Sequence, residues 1–196
     1  EDFLHIQFPY PDAKAYIILT FDGREEEVQT NLHRVKDVVL ARKALDFIIL
    51  DDRKLLENVW KLRGVLVKAI EAVSEQEPVD IVVPINKTAE FIEFINELEN
   101  ETGMQMVSFG HAGDGNVHLC VVRGNRTKEE WEREKSKNMG IVYHKAYTLG
   151  GLTSGEHGIG LTKKEYFLKE TNDLNLQLMR RVKAAFDDKN ILNSHK

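Results

Sequence analysis

Two glycine-rich stretches concentrate the side chains with the greatest chemical reach. Residues 108–122 read SFGHAGDGNVHLCVV, and residues 150–160 read GGLTSGEHGIG. Together they take eight of the 13 glycines and hold His111, His118, Glu156 and His157. Glycine is costly inside regular elements and belongs where the backbone turns through positive φ or approaches another group closely. Loops of that kind, carrying imidazoles and a carboxylate, are site material.

His111 and His118 stand seven positions apart, a spacing that would align them on a helix. The intervening Ala-Gly-Asp-Gly-Asn forbids it, because Asp114-Gly115 is a strong turn signal and two glycines destabilise a helix. A hairpin-like connection is expected instead. His111 then ends one strand, His118 lies within the next, and the two rings converge across the pair. Two neutral imidazoles so placed suit a first-row divalent metal, with zinc, manganese or iron as the candidates. Glu156 would complete a two-histidine, one-carboxylate set that leaves positions open for water or substrate. In a strand His157 would point away from Glu156; in a glycine-flanked loop both can face one cavity. His157 is then free to act as a base that titrates near neutrality. Asp114 and Asn116 read as turn-shaping residues, and Cys120 as a small buried strand residue. His5, His33, His144 and His195 have no acidic or glycine-rich company and read as structural or exposed.

The elements that must position these groups follow from periodicity. Strands are expected at residues 15–21, 47–50, 80–85, 104–109 and 117–122. Helices are expected at 24–41, at 53–73, from Thr88 as cap through Leu98, at 128–149, and at 173–187. The inward face of the 128–149 helix is Trp131, Met139, Val142, Tyr143 and Ala146; that of the last helix is Leu174, Leu178, Val182, Ala185 and Phe186. This order points to an α+β fold of ferredoxin-like type, a mainly antiparallel sheet with helices packed on one face.

At 196 residues the chain can bury a core, and one domain over 1–196 is expected. Its 42% hydrophobic and 30% charged residues are ordinary globular composition. The net charge of -5, with lysine and arginine scattered along helices, excludes a nucleic-acid stripe. The runs REEE at 24–27 and KEEWEREKSK at 128–137 read as solvated helix faces. Cys120 is the only cysteine, so no internal disulfide is possible and a cytoplasmic setting is expected. No apolar run approaches the roughly 18 residues of a transmembrane helix. The opening EDFLH is neither a signal peptide nor begins with methionine, so the chain is expected to start within a longer protein.

GHAGDGNVH followed about forty residues later by SGEHGIG resembles the paired signature of the C-terminal domain of FAD-linked oxidases. This family includes D-lactate dehydrogenases, the glycolate oxidase flavoprotein subunit and D-2-hydroxyglutarate dehydrogenase. Trp60-Lys61-Leu62-Arg63, Val83-Pro84 and the tail FDDKNILNSHK extend the likeness over essentially the whole chain. The resemblance implies a divalent metal held by His111, His118 and Glu156. It also implies that His157 takes the substrate hydroxyl proton, that Arg63 grips the substrate carboxylate and that Asn193 lies near the flavin. FAD would be held mainly by an N-terminal domain of the same parent protein, absent from this chain. The implied substrate is a small 2-hydroxy acid of glycolate or D-lactate type, and this chain alone would be inactive. The parent enzyme could also associate peripherally with a membrane. Two departures stand out. The family tail continues Asn-Pro-Gly-Lys where this chain has Asn193-Ser194-His195-Lys196. Cys120 replaces a substrate-binding asparagine of D-2-hydroxyglutarate dehydrogenases, and a thiol poorly replaces an amide's hydrogen bonds.

Two other functions fit parts of the pattern. The same ligand set could activate water in a metal-dependent hydrolase. A non-catalytic subunit-docking module would fold and bind without the three ligands.

Overall fold

The computed structural model of the chain describes residues 3–5 and 13–194. It divides into two compact units, residues 1–69 and 70–196.

The first unit contains helices α1 (Glu25–Ala41) and α2 (Arg53–Gly64). Asp52 caps α2 by accepting the Leu55 N–H at 2.8 Å. Helix α3 (Leu66–Val73) runs across the division between units. The single helix expected over 53–73 is thus two, broken after Gly64, whose backbone freedom weakens helix continuation. Two expected strands, 15–21 and 47–50, are absent. Neither stretch is assigned as a strand among the described residues, and Ile17, Leu19, Ile48 and Ile49 are exposed. An apolar, β-branched run favours a strand only where a neighbouring strand takes its hydrogen bonds.

The second unit holds the sheet: β1 (Gln76–Val82), β2 (Met106–His111) and β3 (Asn116–Val122), in the order β1-β3-β2 and antiparallel throughout. Between β1 and β2 lies α4 (Thr88–Thr102), so β1–α4–β2 is a split βαβ unit with β3 in its gap. Thr88 is the first residue of α4 rather than its cap. A 3-10 turn, Ile85–Lys87, leads directly into the helix and leaves no extended residue to cap it. Helix α5 (Lys128–Thr148) opens with a full capping box: Thr127 accepts from the Glu130 N–H, and the Glu130 carboxylate accepts from the Thr127 N–H. Then follow α6 (Lys164–Glu170), which sequence periodicity did not reveal, and α7 (Asp173–Phe186).

The pleat of the sheet sorts its residues. Val79, Ile81, Val117, Leu119, Val121 and Met106 share one face and form the core with Phe91, Ile95 and Leu98 of α4. Trp131, Met139, Val142, Tyr143 and Ala146 of α5 complete it, as the sequence spacing predicts. Each buried Val, Leu, Ile, Phe or Met among them contributes roughly 1.5–3 kcal/mol by leaving water. The stripe expected to face inward on α7 does not: Leu174, Leu178, Val182 and Phe186 are exposed. Helical spacing identifies an apolar face; it carries no information on what covers that face. The α+β class, with helices on one face of an antiparallel sheet, is what the structure shows. The other face of the sheet carries the polar groups.

Candidate active site

Central strand β3 is buried along its whole length, and His118 sits in its middle. Across the ladder His118 is opposite Asp80 of β1 on one side and Phe109 of β2 on the other. His111 ends β2 opposite Asn116. Pairing with period two puts Asp80, His118, Asn116, Phe109 and His111 on the same face, away from the helices. His111 and His118 are therefore diagonal neighbours, their ring centroids 5.5 Å apart and nearly perpendicular. The hairpin between them turns through Gly115 at φ +73°, where a Cβ would meet the Val83 carbonyl oxygen at 2.0 Å, so only glycine fits.

The second glycine-rich stretch lies over this face. Its start is tied to β1 by the reciprocal pair Leu152 N–H to Val82 O at 2.9 Å and Val82 N–H to Leu152 O at 3.4 Å. Gly155 then passes so close to Asn116 that a Cβ would stand 2.7 Å from its side-chain amide. Beyond it the backbone converges on the buried Asp80. Asp80 Oδ2 accepts from Ser154 Oγ at 2.7 Å and from the N–H groups of Gly155, Glu156 and His157 at 3.1, 3.1 and 2.9 Å. Lys163 Nζ, itself buried, adds a fifth contact at 3.4 Å. Burial alone would raise the Asp80 pKa. The His157 N–H, the Ser154 hydroxyl, the Glu156 N–H and the Lys163 charge outweigh it and hold the carboxyl well below the usual carboxylate range.

This anchoring brings the four sequence-predicted groups together. Glu156 Oε1 lies 3.8 Å from His111 Nε2, 3.4 Å from His118 Nε2 and 3.7 Å from His157 Nε2. His157 stacks on His118 at 5.1 Å between centroids and 13° between planes. Burial drives the His118 pKa down, against the raising effect of Asp80.

Among the described residues two overlapping groups of possible metal donors result, each with its ligand atoms within 4.8 Å of one another: His111, His118 and Glu156; and Asp80, His118 and His157. The first fits a cation better. Asp80 is 1% exposed, whereas the side chains of His111 and Glu156 are 40% and 52% exposed and open towards solvent. Two imidazoles and one carboxylate, accessible on one side, have the chemistry of a site with free coordination positions.

Two predicted residues are not among these donors. Arg63 is exposed in the last turn of α2, in the first unit. Asn193 is exposed beyond α7 with φ +48°, a left-handed turn conformation that asparagine tolerates. His195 lies outside the described residues. Cys120 is buried, as expected, and burial pushes its thiol pKa up to about 11, with the Glu71 charge adding to the effect. Asp80, Ser154 and Lys163 were not legible as site residues. The available signal was an acid whose alternation puts it opposite the core-facing Val79 and Ile81.

The family model for "FAD linked oxidases, C-terminal domain" matches residues 1–196. A D-lactate dehydrogenase of Anaerostipes hadrus is 39% identical over 184 residues, covering 93% of this chain and 39% of that protein. The glycolate oxidase subunit GlcD of Bacillus subtilis is 30% identical over 200 residues, covering 100% of this chain and 42% of that protein. A D-lactate dehydrogenase of Archaeoglobus fulgidus is 32% identical over 185 residues, covering 94% and 39%. The chain thus spans about two fifths of the length of these relatives. With its histidine pair, its Glu-His loop and a match running from end to end, the chain belongs to the family of C-terminal domains of FAD-linked oxidases.

Proposed function

We propose that this chain is the substrate- and metal-holding part of a flavin-dependent dehydrogenase that oxidises a small D-2-hydroxy acid, of glycolate or D-lactate type, to the 2-oxo acid. One observation carries the reading: His111 Nε2 and His118 Nε2 converge on a single Glu156 oxygen, with His157 Nε2 beside it. The donor set fits divalent zinc, manganese or iron. Such an ion, when bound, supplies positive charge that lowers the pKa of a neighbouring hydroxyl. FAD, held mainly by another domain of the parent protein, supplies the acceptor for the hydride.

The chain's own residues do the rest. The Glu156 carboxylate offsets positive charge at the cluster. His157, with a side chain 60% exposed and Nε2 turned towards that carboxylate, receives the substrate hydroxyl proton at Nε2 as the α-hydrogen departs with its electron pair. Stacking on His118 holds the His157 ring in place. Arg63 is assigned to the substrate carboxylate, where its planar fork suits two oxygens, and Asn193 to the neighbourhood of the flavin. The single buried cysteine makes no demand for an oxidising compartment, consistent with a cytoplasmic enzyme.

A hydrolase would use the same donors, but the relatives named above are dehydrogenases and an oxidase subunit, which favours redox chemistry. The test is rapid-mixing flavin reduction in the full-length parent carrying His157→Ala. Loss of the base should slow reduction by roughly 10²–10⁴-fold. Near-normal reduction would remove His157 from this role.

A further inference from the structure

Asp80 is absent from the reaction just described, yet both halves of the site touch it. Every group around its Oδ2 is a donor: Ser154 Oγ, three backbone N–H groups and Lys163 Nζ. Its Oδ1 is buried, has no hydrogen-bond partner and faces His118 Nδ1 at 3.7 Å. His118 Nδ1 is likewise buried and without a partner. An approach of about half an ångström would bring this pair within hydrogen-bond distance. An ionised carboxylate has no proton to donate, so the hydrogen in that bond belongs to Nδ1. The lone pair of the neutral ring is then on Nε2, the nitrogen 3.4 Å from Glu156 Oε1.

We propose that Asp80 is a positioning residue with two simultaneous actions. One oxygen fixes His118 as the Nδ1–H tautomer, presenting the Nε2 lone pair to a divalent cation; the other sets the backbone of residues 155–157, aiming Glu156 and His157 at the same point. A carboxylate behind a ligating imidazole raises its basicity and holds its orientation. This inference rests on the metal-holding reading above.

Asparagine at this position separates the two actions. The donors around Oδ2 require the amide oxygen of Asp80→Asn to face them, which turns its NH₂ towards His118 Nδ1. The ring must then accept at Nδ1 and carry its hydrogen on Nε2, where it can no longer ligate. The experiment uses wild type, Asp80→Asn and Asp80→Ala. Three quantities are measured: zinc affinity by competition with a chromophoric chelator, amide exchange of the 153–160 peptide, and histidine tautomers by 15N spectroscopy of metal-free protein.

Asp80→Asn should bind zinc roughly 10–100-fold more weakly, keep the loop's exchange protection, and move the His118 hydrogen from Nδ1 to Nε2. Asp80→Ala should lose both zinc affinity and loop protection. Wild-type zinc affinity in Asp80→Asn overturns the proposal, as does a wild-type His118 already protonated at Nε2. So does weakened zinc binding in Asp80→Asn accompanied by lost loop protection, because Asp80 then acts through the backbone alone. Retention of both properties in Asp80→Ala overturns it as well. If wild type takes up no zinc, the metal reading fails, and the tautomer measurement still decides the role of Asp80.

Discussion

Adjacent residues are assigned to different work at this site because a loop places them there. Glu156 offers a carboxylate to His111 and His118, while His157 lies flat against His118 and keeps its own Nε2 turned to the same carboxylate. On the proposed reading, His111 is the histidine ligand whose removal disturbs the rest less, since it is 40% exposed and ends its strand whereas His118 is 11% exposed in the middle of β3. His111→Ala should therefore fold normally and carry less metal per chain than wild type, measured by elemental content after purification. Equal content in the two would take His111 out of the metal site. These four side chains were legible because glycine-rich loops and strand ends leave few arrangements for them. Asp80 was not, because one acid within an apolar strand has the appearance of a strand edge until its partners are known. Its partners come from residues 154–157 and 163, more than seventy positions further on.

Among the elements, those with local chemical signals matched expectation most closely. The 128–149 helix is found at Lys128–Thr148 because Thr127 and Glu130 define its start, and the last helix starts where expected because Asn172 caps it by accepting the Asn175 N–H at 3.0 Å. The end of α7 is fastened by Asp187, whose carboxylate accepts from Lys183 Nζ and from the N–H groups of Ile191 and Leu192 at 2.8 and 3.0 Å. The Lys183 contact, followed by those two N–H groups, lowers the Asp187 pKa from the ordinary 3.8 despite burial. A depressed folded pKa contributes stability that is present above 3.8 and lost as pH falls through the lower folded value. Amide protection factors in residues 188–194, corrected for the intrinsic pH dependence of exchange, should accordingly fall over that acidic window and stay flat above it. The same profile in Asp187→Asn would show that the carboxylate is not the fastening. Strands 15–21 and 47–50 failed as expectations for the opposite reason: a strand is a property of a pair, and composition describes only one member.

For the molecule as a whole, the polar site and the packed core occupy opposite faces of one three-stranded sheet. The α+β class was legible because alternation and helical spacing each survive in the residues that build that sheet and its two covering helices. The exposed stripe on α7 was misread as interior because amphipathic spacing does not distinguish a covered face from an open one. No helix among the described residues is long and apolar enough to cross a membrane. Under the proposed function, the 196-residue chain supplied with metal should not oxidise hydroxy acids. Joining it to the flavin-binding part of the parent protein should restore turnover. Both are read as dye reduction with D-lactate or glycolate. Turnover of a substrate by the isolated chain with metal and no flavin would replace this reading with a hydrolytic one.

The way Asp80 grips the Glu-His loop has a consequence for variation. It holds three consecutive main-chain amides, and a main-chain amide is the same whatever side chain follows it. Exchanging the groups at 156 and 157 should therefore change the chemistry offered without moving the platform that offers it. That separation of scaffold from reagent makes this loop the natural place to install a different ligand set or a different base.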